Sequence, residues 1–143
     1  MMISTKGRYA LRVMIDLAEH NVGEYIPLKD IAERQMISEK YLESIISVLA
    51  KAGFLAGLRG KGGGYKLTRP PEAYTVGSIL KLTEGSLAPV SCLEQKPNTC
   101  SRAEECRTLP LWEKLDTLID NFLESYTVAD LANNGEQGDN FVI

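Results

Sequence analysis

A mainly α-helical chain that carries one β-hairpin is what this sequence predicts, and three features predict it. Apolar residues recur at helical spacing in three successive stretches between Thr5 and Gly53. Two short strand-like runs, FLAGLR and YKLT, then flank a glycine cluster at Gly60, Gly62, Gly63 and Gly64. From Leu109 a long amphipathic stretch carries a wide apolar stripe. Three helices, the second and third joined by a short turn and followed by a hairpin, give the order of a winged helix-turn-helix.

Each element has a local reason. Residues 5–20 place Tyr9, Ala10, Val13, Met14, Leu17 and Ala18 on one side, with Arg8, Arg12, Asp16 and Glu19 expected on the other. NVGEY turns the chain, and Pro27 is expected in the first turn of a second helix with Ile31 and Ala32 facing inward. Ser38 is a good N-cap for a third helix whose apolar set is Tyr41, Leu42, Ile45, Ile46, Val48 and Leu49. Gly53 stops it, as a glycine does just past a helix C-terminus. The glycine cluster supplies the positive φ angles of a hairpin turn, and Pro70 and Pro71 end the hairpin. Thr75 caps a fourth helix, residues 86–108 form a loop, and the long helix from Leu109 follows. Its stripe consists of Leu111, Trp112, Leu115, Leu118, Ile119, Phe122, Leu123 and Tyr126. Thr127 opens a last helical turn, and the tail has too little to bury to hold a fixed structure.

The expected organisation is therefore a winged head at 1–84, a loop at 85–108, a long-helix region at 109–134 and a frayed tail at 135–143. The composition, 44% hydrophobic and 24% charged, is that of a soluble globular protein. No stretch approaches the ~20 apolar residues that span a bilayer. Asp16 and Glu19 interrupt any signal-peptide core, so a cytoplasmic location is expected. The net charge of −3 hides an asymmetry. Between Met1 and Lys81 stand 12 basic and 8 acidic residues, a balance of +4, which leaves −7 for the remainder. A basic front half with an acidic rear half suits a DNA-facing module followed by a regulatory or oligomerising extension.

In such a fold the third helix offers its first turns to base edges in the major groove. The candidates there are Ser38, Glu39, Lys40, Tyr41, Glu43 and Ser44. Serine pairs with any base, and glutamate accepts from a cytosine amino group. Glu39 also suits the helix N-terminus through the macrodipole. On the hairpin, Arg59 and Lys61 flank the tip and can meet phosphate or a minor groove. The RGKGGGYK run lacks the GKS or GKT that opens a helix in a nucleotide-binding loop, so it does not read as one.

All three cysteines, Cys92, Cys100 and Cys106, lie in the loop with spacing C-x7-C-x5-C. Thiolates suit iron–sulfur clusters and zinc, but zinc sites favour CxxC pairs and four ligands. The one histidine, His20, lies far away in the first helix. A three-thiolate corner of an iron–sulfur cluster fits this pattern, as does a metal-free thiol switch with thiol pKa values depressed by Arg102 and Arg107. Unligated loop thiols are the third reading. The absence of histidine or a paired acid and base near the thiols argues against an enzyme.

The stretches STKGRYALRVMIDLA, PLKDIAERQMISEKYLESI and LRGKGGGYKLTRP resemble the BadM-type winged-helix regulators, and within them the iron–sulfur cluster regulators. The resemblance runs to about Asn134, nearly the whole chain. It implies a homodimer joined through the long helix, whose stripe, with Trp112, Leu115, Leu118, Ile119, Phe122 and Tyr126 as the expected interface, is too wide for one small winged domain to cover. It implies a repressor of double-stranded promoter DNA, with Ser38, Lys40, Tyr41, Glu43 and Arg59 at or near that DNA and Glu43 tuning which promoter class is bound. Further implied is a cluster on Cys92, Cys100 and Cys106, 2Fe–2S favoured and 4Fe–4S accommodated, supplied by iron–sulfur assembly machinery. Such regulators carry a histidine three residues after the last cysteine, and Leu109 stands there. A nitric-oxide-sensing branch uses an aspartate of the partner's first helix, and Arg8 stands at that position. Glu104, Glu105, a backbone group, a small thiol or water are the remaining candidates for a fourth ligand.

Overall fold

The computed structural model describes residues 3–20 and 23–132. The expected frayed tail at 135–143 lies outside the described residues. Local capping chemistry starts most of the helices. In α1 (Thr5–Glu19), the Ser4 hydroxyl oxygen accepts from the Gly7 amide. In α3 (Glu39–Lys51), Ser38 accepts from the Tyr41 amide at 3.2 Å. In α4 (Val76–Glu84), Thr75 accepts from Ser78 at 3.0 Å. Each cap satisfies an amide that has no partner within its helix. Between α1 and α3 lies the short α2 (Leu28–Gln35). Here Pro27 is the residue before the helix rather than part of its first turn. Its φ of −59° suits entry, but its ψ of 141° is extended.

The turn from α2 to α3 runs through Met36, which adopts the left-handed conformation at φ 56°. After α3, Gly53 at φ 80° reverses the chain into β1 (Leu55–Leu58). That strand pairs antiparallel with β2 (Gly64–Leu67), with Leu55 opposite Leu67 and Leu58 opposite Gly64. Tyr65 also exchanges two backbone hydrogen bonds with Ile26, at 2.8 and 2.9 Å, so the hairpin is stitched to the segment ahead of α2. Gly64 permits this close approach. A Cβ there would lie 2.1 Å from the Ile26 carbonyl oxygen, and its φ is +149°. A one-turn 3-10 helix, Pro71–Ala73, leads into α4.

The main core gathers Ala10, Val13, Met14 and Leu17 of α1, Ile31 of α2, and Leu42, Ile45, Ile46 and Leu49 of α3. Burying each of these larger aliphatic side chains stabilises the head by roughly 1.5–3 kcal/mol before entropy is set against it. One residue departs from the expected pattern. Asp16, read as solvent-facing, is 1% exposed. Helical spacing alone puts it at the edge of the polar side, and what buries it is α2, whose Arg34 and Gln35 close over it.

The second half of the chain begins with a loop containing a single 3-10 turn, Ser91–Leu93. It continues into α5 (Leu109–Glu124) and α6 (Val128–Ala132). A smaller core joins Val76, Leu80 and Leu87 to Ile3, Leu11, Leu123 and Tyr126, and so seats α5 on α4. The last helix then returns to the head. Val128 is fully buried in the main core, and α6 packs on α1. Thr127 and Asp130 form a reciprocal cap that starts this helix, their amides and side chains exchanging bonds of 2.9 and 3.1 Å.

Candidate nucleic-acid interface and thiol loop

The first two turns of α3 present Glu39, Lys40, Glu43 and Ser44 to solvent, preceded by the exposed Ser38. Ser38 uses its oxygen as the cap, which leaves its proton free for an outside acceptor. Ser44 donates to the Tyr41 carbonyl at 2.6 Å and keeps its lone pairs for an outside donor. Tyr41 is half-buried, its ring edge-on to Tyr9 at 5.9 Å between centroids. Its aromatic body therefore anchors α3 to α1.

That anchor is one end of a network the sequence did not reveal. Arg12 stacks over Tyr9, 4.7 Å from the ring centroid. The same guanidinium donates to the Gln35 side-chain oxygen at 3.0 Å and to the Gln35 carbonyl. Gln35 in turn donates to Asp16 at 2.8 Å, and Arg34 clamps Asp16 with bonds of 2.9 and 2.7 Å. Side chains of α1, α2 and α3 are thus tied together, α3 through Tyr41. The only available signal was an acid set between Ile15 and Leu17 in an apolar helix.

On the wing, Arg59 and Lys61 are exposed at the hairpin tip. The hairpin's base is fixed by Tyr74, a fully buried residue. Its hydroxyl accepts from the amides of Thr68 at 3.0 Å and Arg69 at 2.9 Å, and donates to the Phe54 carbonyl at 2.8 Å. Arg69 lies over the Phe54 and Tyr74 rings, and Lys66 over Tyr25. These cations are held by aromatic faces, so the tip residues are the wing's freest positive charges.

The thiol loop has a different character. Cys92, Cys100 and Cys106 are all free thiols. Among the described residues, no group of three or more His, Cys, Asp or Glu side chains stands close enough to hold a metal ion. The loop thus brings the three cysteines into one segment without converging them. The donor set itself suits an iron–sulfur cluster, because three thiolates are soft ligands. A second observation agrees: the Asn98 side-chain nitrogen is shielded from solvent with no hydrogen-bond partner among the described residues. Leu109, at the expected histidine position, is the first residue of α5. Its backbone amide and that of Thr108, after the Thr108 hydroxyl, also favour the Cys106 thiolate. The Thr108 hydroxyl lies 3.4 Å from the sulfur and is the main cause of a lowered Cys106 pKa. Arg102 adds a smaller effect.

Along α5, Leu118 and Phe122 are 66% and 58% exposed. With Ile3, Ile119 and Leu123 they line an apolar groove of about 400 Å³. Trp112, Leu115 and Ile119 are half-buried, while Tyr126 packs against the chain's own smaller core. Lys81 of α4 bridges to Asp120 and Glu124 of α5, which holds its ammonium charged and raises its pKa. No helix among the described residues is long and apolar enough to cross a membrane.

A capped third helix with a polar exposed face, followed by a basic hairpin, defines a winged helix-turn-helix DNA-binding regulator. The comparisons with known proteins agree. The family profile described as "Rrf2: Iron-dependent Transcriptional regulator" matches residues 3–134. The transcriptional regulator IscR of Erwinia tasmaniensis is 41% identical over 136 residues, covering 95% of this chain and 81% of that protein. The T. potens IscR structure superposes with a TM-score of 0.74 at 39% identity, covering 96% of this chain and 90% of that one. The structure of CymR, the global cysteine regulator of B. subtilis, gives 0.75 at 37% identity, covering 93% and 97%. The chain belongs to the Rrf2 family of transcriptional regulators, and the resemblance to the iron–sulfur regulator branch holds in the IscR relatives.

Proposed function

We propose that this regulator is a homodimeric repressor of promoter DNA that senses iron–sulfur status through a cluster on Cys92, Cys100 and Cys106. The observation that carries the reading is that every thiol of an IscR-like chain lies in the one loop between α4 and α5. Residues 1–84 form the reading head, 85–108 the sensor loop and 109–134 the dimerisation region. When bound, the cluster adds a redox-labile centre. Around it the chain supplies three thiolates, and Cys106 has its thiolate favoured by Thr108. A 2Fe–2S cluster is favoured and a 4Fe–4S cluster also fits the three-thiolate set, with iron–sulfur assembly machinery as its source. Ser38, Glu39, Lys40, Tyr41, Glu43 and Ser44 serve the major groove, and Arg59 and Lys61 serve the flanking phosphates. Exposed Leu118 and Phe122, with Trp112, Leu115 and Ile119 along the same helix and Tyr126 just past its end, support a two-fold interface between copies.

Anaerobic purification and reconstitution, read by iron and sulfide analysis and Mössbauer spectroscopy, tests the cluster. DNA binding of loaded and cluster-free protein tests the sensing, and equal affinity at every promoter would sink it. A second reading has its own support. The lowered Cys106 pKa and the likeness to a structure named a cysteine regulator favour a thiol-redox- or nitric-oxide-responsive repressor of the same fold. A chain that takes up neither iron nor sulfide yet changes DNA affinity on oxidation would establish its metal-free form.

A further inference from the structure

We propose that Asn98 donates an N–H···S hydrogen bond from its side-chain amide to the cluster at Cys100, and so tunes the cluster's potential and lifetime. This rests on the cluster reading above. It starts from a fixed amide orientation. The Asn98 Oδ1 accepts from the Cys100 backbone amide at 2.8 Å. An amide oxygen facing that N–H places the Nδ2 on the other branch of the same plane. There Nδ2 is shielded from solvent and has no hydrogen-bond partner among the described residues.

An NH2 group carries two donors, and leaving such a group buried and unpaired is unfavourable. Turn formation does not account for it. The Asn98–Cys100 turn needs only the side-chain oxygen, which aspartate supplies equally well. Asparagine differs from aspartate here by the donor alone, apart from charge. The neighbouring side-chain bond, Thr99 to Gln95 at 3.3 Å, leaves that donor unused. What the loop does offer is sulfur, with Cys100 two residues along and bonded to the same side chain. Because that bond is local to residues 98–100, it does not depend on where the other two thiols lie. Thiolate and sulfide sulfurs accept N–H bonds, and such bonds raise a cluster's potential by stabilising its more negative reduced state.

The test uses full-length protein carrying 15N in its asparagine side chains, reconstituted anaerobically with iron and sulfide and then reduced. Pulsed EPR is expected to show hyperfine coupling from one asparagine side-chain nitrogen to the cluster, and Asn98→Ala is expected to abolish it. The Asn98→Ala cluster should also have a more negative midpoint potential and be lost to a chelator several-fold faster. Asn98→Asp keeps the turn and lacks the donor, so it should lose the coupling, and its added negative charge should make the potential more negative than in Asn98→Ala. Wild-type potential in Asn98→Asp would overturn the proposal. So would a loaded wild-type cluster with no asparagine coupling, or coupling that survives in Asn98→Ala; in each case the cluster reading stands. A wild-type chain that takes up no iron or sulfide overturns both. The labelled wild type carries the test even if a variant fails to load.

Discussion

Arg34 on α2 grips Asp16 on α1 with two parallel hydrogen bonds, Nη2 to Oδ1 at 2.7 Å and Nε to Oδ2 at 2.9 Å. Planar two-point pairing of this kind fixes orientation as well as distance. The carboxylate is 1% exposed, whereas the arginine side chain is one-third exposed. The two ends of the pair are therefore unequal. Arg34→Met strands a buried negative charge with Gln35 as its remaining strong donor, and should cost about 2–3 kcal/mol, below the full range for a wholly buried pair. Urea unfolding of the full chain measures it. An effect under about 0.5 kcal/mol would show that water reaches Asp16 freely.

Tyr74→Phe removes the oxygen that the Thr68 and Arg69 amides share and leaves the Arg69 amide without its partner, while the Phe54 carbonyl keeps the Thr68 hydroxyl and amide as donors. A loss of about 1–3 kcal/mol is expected from the unsatisfied group. Hydrogen exchange should accelerate at Thr68 and Arg69, the two amides that donate to the hydroxyl. Unchanged exchange at both would show that the hydroxyl is not what holds them.

Met36 is 92% exposed and sits at φ 56°. A side chain in that region costs roughly 1–2 kcal/mol, and glycine gives back about 0.5–1 kcal/mol of it through its freer unfolded state. Met36→Gly should therefore stabilise the head by about 0.5–1 kcal/mol, read as a higher urea midpoint at constant slope. A destabilised variant would mean that the methionine side chain makes contacts worth more than its backbone strain.

Cys106 should be the first thiol to react with iodoacetamide in cluster-free protein. Its pKa lies below the ordinary thiol value because the Thr108 hydroxyl, and after it the Thr108 and Leu109 amides, stabilise the thiolate. The sign is simple: a lower pKa means more thiolate, and a faster reaction, at any pH below it. Thr108→Val should move the inflection of rate against pH upward and slow the reaction near pH 7. Mass spectrometry of the labelled peptides separates the three sites. Equal rates at Cys92 and Cys106 would contradict the assignment.

Leu118→Asp and Phe122→Asp place charge on side chains that are already exposed in the single chain, so folding should survive. Sedimentation should show weakened association, and DNA affinity should fall with it, since two half-sites demand two heads. A variant that stays the size of the wild type would remove this face of α5 from the dimer.

Much of this architecture was legible because it depends on local chemistry. Ser38, Gly53 and Thr75 mark element boundaries through bonds or angles made within a few residues, and the structure places all three as read. Asp16 was misjudged because its burial comes from α2, and helical periodicity sees only the residue's own helix. Tyr74 went unnoticed for a similar reason: its partners Phe54, Thr68 and Arg69 gather around it only once the hairpin has closed. In the loop, the spacing of the cysteines was plain, but nothing in that spacing says whether they converge. Leu109 was read through its side chain, as a histidine that is missing. Its amide is one of the groups that lower the Cys106 pKa, after the Thr108 hydroxyl and amide.

Thr75 and Thr127 face each other across an antiparallel bridge, and the amides of Val76 and Val128 bond to Tyr126 and Tyr74. The chain thus runs out through α4, which packs on α1, and returns along α5 to the foot of α4. The thiol loop between them is an excursion with a closed base. Lengthening such an excursion by a few residues adds only a few tenths of a kcal/mol of closure entropy. Residues can be added between Cys92 and Cys100 while the anchor points of the excursion stay where they are.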